Sequence, residues 1–338
     1  MTSTSKNQKL GIKFWGVRGS LPTPHKPQEL QSRMKNLLLS YSEWGRREGS
    51  TNVALDVDRF LSEQPVYDVG GYGGNTPCIE VSCGDTRLLI DAGSGLRGLG
   101  IELLKGPCGV GKGEVHLAFT HFHWDHLVGL PFFTPIFIPG NTIHIYAVQP
   151  DLEEIVRTVF KKPFFPLNFE QLGAEIVFHA LEPRKPWKLG DLSITPYQLD
   201  HPDPCWGYQI EGAGKKFAYC VDTEATRFTH EELGPDLPMY QGLDLMIFDA
   251  QYTLQEAAEK VDWGHAAAAI GLDLAIREKI PRVLFMHHDP GSTDRRIDDA
   301  RLQAAKYLKI QTKESKRQDV EMFVPSWSFV TEGTEILV

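Results

Sequence analysis

The sequence predicts an α/β protein in which two β-sheets pack face to face and are covered by helices. Three observations carry that expectation. Short runs alternating apolar and polar residues recur through the first half, as half-buried strands require. Short, continuous apolar runs mark the second half, as strands buried on both faces require. Helical spacing falls mostly between or after these runs, which suits helices laid on the outer faces of sheets.

Taken in order, Gly11 to Val17 alternates and reads as a first strand. A long polar excursion follows from Pro22 to Tyr72, rich in Ser, Glu and Arg. Within it, Gln28 to Trp44 carries Leu30, Met34, Leu37, Leu38 and Tyr41 at helical spacing, which predicts a surface helix. Cys78 to Ser82 and Arg87 to Ile90 read as neighbouring strands joined at the turn pair Gly84-Asp85. Val115 to Thr120 and Thr142 to Val148 extend the strand pattern, and Leu192 to Leu199, Trp206 to Glu211 and Lys216 to Val221 continue it. Leu243 to Ala250 and Arg282 to Met286 are apolar runs with a helix, His265 to Glu278, between them. The last helix starts near Ser292 or Thr293, either of which can cap it, and its apolar face is Ile297, Ala300, Ala304, Tyr307 and Leu308. No repeat or linker divides the chain, so residues 1–338 are expected to form one domain with an insertion at about 22–72.

Composition narrows the function classes. With 41% hydrophobic residues the chain can bury a core, which excludes a disordered tail. No run approaches the roughly 18 to 20 apolar residues of a membrane span. Met1 to Lys9 is polar and lacks an apolar leader segment, so a cytoplasmic protein is expected. The net charge of −9 argues against nucleic-acid binding through bulk charge. Cys78, Cys83, Cys108, Cys205 and Cys220 are odd in number and contain no CxxC pair. Neither a disulfide framework nor a thiolate zinc site is expected from them.

The chemistry concentrates in Thr120-His121-Phe122-His123-Trp124-Asp125-His126, directly after a buried strand. In extended backbone alternate side chains share a side, so His121 and His123 can meet one metal ion. Asp125 and His126 follow where the chain turns and can serve a second. Nitrogen and oxygen donors of this mix suit Zn²⁺, with Mn²⁺ or Fe²⁺ as alternatives. Four donors cannot complete two sites, so others must come from distant strand ends. His201 follows the strand ending at Leu199, Asp222 closes the strand Phe217 to Val221, and His287 and His288 close Val283 to Met286.

These residues resemble the metallo-β-lactamase superfamily of hydrolases. The HxHxDH motif is matched by His121, His123, Asp125 and His126, and the later ligands by His201, Asp222 and His287. Within that superfamily the chain is most similar to the phosphodiesterase-like branch. The matching segments are Gly16 to Ser20, Tyr72 to Thr76, Asp91 to Gly93, Asp249 to Thr253, Trp263 to His265 and His287 to Pro290. The resemblance implies an αββα sandwich, two mixed β-sheets flanked by helices, with the metals at one edge. It implies two divalent ions per chain: His121, His123 and His201 on one, Asp125, His126 and His287 on the other, and Asp222 bridging. It also implies a small-molecule phosphodiester substrate, foremost a 3′,5′-cyclic nucleotide, and a homodimer. Asp125 would orient the nucleophile, and His265, opening a helix, would protonate the leaving group. Asp91 is the foremost candidate to support a ligating histidine, followed by Asp249 and Asp289, while His288 competes with His287 as ligand. Asn75 and Thr76 are candidates to touch substrate. Two departures stand out: the excursion at 22–72 is long, and Ala266 to Ala268 replace the Ser and Thr often found after the Gly-His pair.

Other features have plainer readings. Gly70 to Gly74 precedes no helix and reads as a flexible turn, not a dinucleotide loop. His25, His116, His144, His179 and His230 are scattered and read as structural or surface groups. Trp124, Phe132 and Phe133 read as core, with a base-stacking pocket as the alternative. Arg18 is equally suited to a phosphate or an ion pair. Two other activities remain open: a tRNA 3′-end endonuclease, which would need a basic docking arm that is not evident, and a lactonase or glyoxalase-type ester hydrolase.

Overall fold

The computed structural model describes residues 8–48 and 53–338. The N-terminal stretch before Gln8 and residues 49–52 of the excursion lie outside the described residues. Among the described residues, fourteen strands make two seven-stranded sheets. The first sheet contains β1 (Leu10–Gly16), β2 (Cys78–Cys83), β3 (Thr86–Ile90), β4 (Glu114–Ala118), β5 (Thr142–Ala147) and β6 (Glu175–Ala180). The second contains β7 (Trp187–Leu189), β8 (Leu192–Gln198), β9 (Trp206–Gly212), β10 (Lys215–Cys220), β11 (Leu245–Asp249), β12 (Arg282–Met286) and β13 (Ser326–Phe329). The last strand, β14 (Glu335–Leu337), returns to the first sheet beside β1. The orders are β14-β1-β2-β3-β4-β5-β6 and β13-β12-β11-β10-β9-β8-β7. Both sheets are mixed: β3 to β6 are parallel in one, and β10 to β13 in the other.

Side-chain alternation builds three apolar layers. Phe217 and Tyr219 of β10 face the gap between the sheets, together with Ile247 and Leu284. Ala218, Met246 and Phe285 face the other way, onto helices outside the second sheet. Leu117 and Ile145 likewise face helices outside the first sheet. Strands buried on both faces must be apolar throughout, which explains the runs at β11 and β12. The expected αββα sandwich with mixed sheets is what the chain forms.

Among the described residues, ten α-helices surround the sheets: α1 (Pro27–Glu48), α2 (Val53–Glu63), α3 (Val66–Val69), α4 (Gly95–Leu103), α5 (Trp124–Leu127), α6 (Leu152–Val159), α7 (His230–Leu233), α8 (Leu254–Glu259), α9 (Ala268–Glu278) and α10 (Asp294–Arg317). The described part of the excursion at 22–72 contains α1 to α3. Its predicted apolar stripe is exposed at Leu30, Met34 and Leu38, as expected of a surface helix. The side chain of Thr293 caps α10 by accepting from the Arg296 amide at 3.3 Å. One helix begins later than expected. The run from His265 becomes helical only at Ala268, so His265 lies in the loop before α9. Among the described residues, no helix is long and apolar enough to cross a membrane.

Candidate metal centre

The strand ends deliver the site. Asp91 follows β3, Asp222 follows β10 by two residues, and His287 follows β12. Each has left-handed backbone, with φ of 63°, 63° and 66° respectively. Non-glycine residues rarely accept that conformation, which costs on the order of 1–3 kcal/mol each. The turn it makes places each side chain at the mouth of its strand rather than beyond it.

His121, His123 and His201 converge, with one ligand atom from each lying within 4.8 Å of the others. Asp125, His126, Asp222 and His287 converge in the same way and are all buried. These seven residues therefore gather in two adjoining groups, with Asp222 in the second. His123 is exposed and His201 half-buried, so the first group opens to solvent. A cleft of about 500 Å³ lies beside His201, lined also by Asp200, Glu224, Arg227 and Asp262.

The donor atoms are oriented by their other contacts. His126 Nδ1 lies 2.9 Å from Asp91, turning Nε2 toward Asp222 Oδ2 at 2.7 Å and Asp125 Oδ2 at 3.3 Å. Asp91 in turn accepts from the Thr120 amide at 2.9 Å. His123 Nε2 is 2.8 Å from Asp203 Oδ2, which leaves its Nδ1 for an ion. His201 Nδ1 donates to the Asp203 carbonyl at 2.9 Å, which leaves its Nε2. Asp249 Oδ2 lies 3.0 Å from His265 Nδ1 and 3.4 Å from His287 Nδ1. Histidines that bind metal usually pass their other nitrogen to such a partner.

Burial alone would lower the His126 pKa, yet Asp222, Asp125 and Asp91 hold it well above its ordinary value. Burial would also lower His287, and Asp222, Asp125 and Asp249 raise it to about 10. Burial opposes ionisation of Asp125 and Asp222, and the facing imidazoles still hold both well below the usual carboxylate range. His121 is different: burial and then His126 push it well below its ordinary value. Its buried Nε2 has no hydrogen-bond partner, and neither His126 Nε2 nor Asp222 Oδ2 has an aligned one. Buried polar atoms are seldom left so. Imidazoles and carboxylates gathered in this way fit divalent cations, which would displace the protons held on His126 and His287.

Asp91 contacts His126, whereas Asp249 contacts His265 and His287 and, with them and Asp222, makes a further group of donor atoms within 4.8 Å of one another. His288 Nε2 donates to the Val330 carbonyl at 3.2 Å and its ring stacks on Phe329, so it is not in the ligand groups. Asp289 caps a turn by accepting from the Gly291 amide at 2.8 Å. Thr76 is fully buried, its hydroxyl accepting from the Ser94 amide at 2.7 Å, and cannot touch substrate. Asn75 is engaged by Glu332 at 2.7 Å and by Ser94 at 2.8 Å, so it shapes its loop instead. Arg18 is buried against Asp294 at 2.9 Å, which removes it from phosphate binding. Gly70 to Gly74 is not a free turn. The Tyr72 amide binds Asp294 at 3.0 Å and the Gly74 amide binds Glu332 at 3.1 Å. Phe133 is core, whereas Trp124 and Phe132 are exposed. All five cysteines are free and buried.

Three contributors were not evident in the sequence. Asp203 orients two histidines, and its place between prolines directly after His201 was the available signal. The Ser20 amide donates to Asp125 Oδ2 at 2.7 Å, with φ of 58° at Ser20. Gly19 must be glycine, because a Cβ there would lie 2.2 Å from Gln251 Oε1 and 2.6 Å from His287 Nδ1. Ala266 to Ala268 leave His265 supported, since the Ala266 amide also binds Asp249, at 3.2 Å.

The chain belongs to the beta-lactamase superfamily: the family model for the beta-lactamase superfamily domain matches residues 86–288. It is similar to a ribonuclease Z of Staphylococcus carnosus, 26% identical over 167 residues, which cover 48% of this chain and 50% of that protein. The matched stretch thus spans about half the length of that curated relative. Among solved structures it resembles the metallo-beta-lactamase fold protein YhfI from Bacillus subtilis, with a TM-score of 0.61 and 15% identity, covering 98% of this chain and 100% of that one. It also resembles a diphosphatase of the PhnP family, with a TM-score of 0.58 and 16% identity, covering 97% of each chain. These likenesses establish a metallo-β-lactamase fold.

Proposed function

We propose that the chain is a metal-dependent hydrolase that cleaves a small phosphodiester, foremost a 3′,5′-cyclic nucleotide. The observation that carries this reading is the pair of adjoining donor groups, three imidazoles beside two carboxylates and two imidazoles. His121, His123 and His201 would hold one ion, and Asp125, His126 and His287 the other. Asp222 would bridge them; its charge acts on His121 and His201 as well as on His126 and His287. Zn²⁺ suits this set best. Bound divalent ions supply a water-derived nucleophile at neutral pH and positive charge for the phosphoryl oxygens.

The chain's own residues do the positioning. The Ser20 amide donates to Asp125 Oδ2, which keeps the carboxylate aimed into the centre. Asp249 holds His265 through Nδ1, leaving Nε2 to give a proton to the departing oxygen. Its ring lies 4.9 Å from that of His287 and 6.3 Å from that of His201, between the two groups.

The cleft supports a small substrate. Asp200, Glu224 and Asp262 line it, and its Arg227 is already paired with Asp200 and Asp236. Such a rim repels a polyanion, whereas one phosphodiester needs only the charge at the centre. A second reading, 3′-end cleavage of precursor tRNA, is favoured by the ribonuclease Z relative. The test is parallel incubation of the zinc-loaded protein with cyclic AMP, cyclic GMP, precursor tRNA and an acyl lactone. Turnover of a cyclic nucleotide is expected. Cleavage of tRNA alone, or of lactone alone, would overturn the proposal.

A further inference from the structure

We propose that Glu114, His116 and His144 form a second metal site, separate from the centre above, for a late first-row divalent ion such as Zn²⁺. These residues lie in the N-terminal half of β4 and β5. His116 stands directly beside His144 in the parallel register. His116 lies five residues before His121, roughly 16 Å away along extended backbone. Val115, Leu117, Ile143 and Ile145 face the helix-covered side. The two histidines therefore face the gap between the sheets, near its rim.

One nitrogen or oxygen from each of the three residues lies within 4.8 Å of the others. Glu114 Oε1 is 3.2 Å from His144 Nε2 and 3.5 Å from His116 Nε2. The opposite ring nitrogens are taken. His116 Nδ1 is 2.9 Å from the Tyr146 hydroxyl, and His144 Nδ1 is 2.9 Å from His179 Nε2. If each Nδ1–H donates to that neighbour, both Nε2 lone pairs point at a carboxylate oxygen. Three acceptors then share one space, which a cation resolves. Burial, reinforced by His144, holds His116 below its ordinary pKa, and burial does the same for His179. Neutral imidazole is the form that binds metal. Tyr146 and His179 fix the ligand rings from behind, as outer partners do in built metal sites. His179 is itself stacked on Tyr146, at 4.4 Å between ring centres, and Tyr146 on Trp187, also at 4.4 Å. The histidines are 17% and 18% exposed and Glu114 is 65% exposed, so an ion can enter from solvent and keep water on its open side. Two imidazoles and a carboxylate select zinc, nickel or copper over magnesium or calcium.

The test compares zinc bound per chain at one free Zn²⁺ concentration, by equilibrium dialysis and metal analysis. The wild-type protein, the His116→Gln/His144→Gln double variant and Glu114→Gln are measured side by side, each checked for folding by circular dichroism. The double variant is expected to bind one ion fewer per chain. Glu114→Gln is expected to weaken that one equivalent by about tenfold or more. A difference between proteins does not depend on how many ions the other centre holds or on any activity. Equal zinc content in all the folded proteins would overturn the proposal, leaving the cluster a hydrogen-bonded ladder. If the double variant does not fold, the exposed Glu114→Gln decides alone.

Discussion

Asp125 receives both the Ser20 amide and His287 Nε2 on one oxygen. Asp125→Asn replaces an ionised acceptor with a neutral amide in the middle of the second group. Turnover should fall by about a hundredfold or more while the circular dichroism spectrum stays unchanged. Near-normal activity at full metal content would remove Asp125 from the machinery. His265 is tied to Asp249 at 3.0 Å, lies 3.5 Å from Asp222 and sits in the loop before α9. His265→Ala should slow esters with poor leaving groups by about 10²–10⁴ and activated nitrophenyl esters far less. Equal losses across leaving groups would exclude the acid role. Residues of this kind were the most legible in the sequence. Four donors within six positions, and single donors directly after apolar strands, have few structural explanations. Asp203 and Ser20 were not legible, because one acts through long-range approach to His123 and the other through its backbone amide.

At the scale of elements, the ten strands interior to the two sheets were legible and the four edge strands β6, β7, β13 and β14 were not. An interior strand must satisfy packing on both sides of its ladder, which stamps a pattern on the sequence. An edge strand is held by one neighbour, and β7 and β14 have only three residues each. The start of α9 was misplaced for a related reason. His265 and Ala266 are fixed by Asp249 in a non-helical loop, although their spacing continues the helix. The left-handed turns at Asp91, Asp222 and His287 have only a weak sequence signature, since Asp and His tolerate that backbone better than most residues but seldom adopt it. The turn at Gly16 to Ser20 gives a sharp test. Gly19→Ala places a methyl against Gln251 and His287. It should weaken metal binding by about 10–100-fold without unfolding the chain. Unchanged zinc affinity would show that this turn does not hold the ligand. The loop after β12 also ties stability to pH. Burial, and then Arg18, lower His288 to about 3 from an ordinary 6.5. The unfolded chain therefore takes up a proton between those values and the folded one does not. His288's contribution is complete above about 6.5 and is lost as pH falls toward about 3, on the order of 5 kcal/mol. A His288→Leu variant should show a flatter acid limb in urea titrations. An unchanged limb would contradict the assignment.

Across the whole molecule, two sheets meet so that loops from both close on one charged site. Strands β3 and β4 of the first sheet carry Asp91, His121, His123, Asp125 and His126, and the second sheet carries His201, Asp222 and His287. Metal binding should therefore tie the sheets together and raise the thermal midpoint, and chelation should lower it. The sign of the pH effect follows from His287. Without metal its pKa is raised to about 10 from 6.5, so the attraction of its proton stabilises the apoprotein fully below 6.5 and fades as pH rises through about 10. An incoming ion must displace that proton. Zinc affinity should thus rise with pH over that window, by about tenfold per unit for each proton released. A pH-independent affinity would contradict the ligand assignment. The most direct measurement is an anomalous-scattering map of crystals loaded with Zn²⁺. One peak is predicted among His121, His123 and His201, and a second among Asp125, His126 and His287, both touching Asp222. A map with no density at either position would contradict the account.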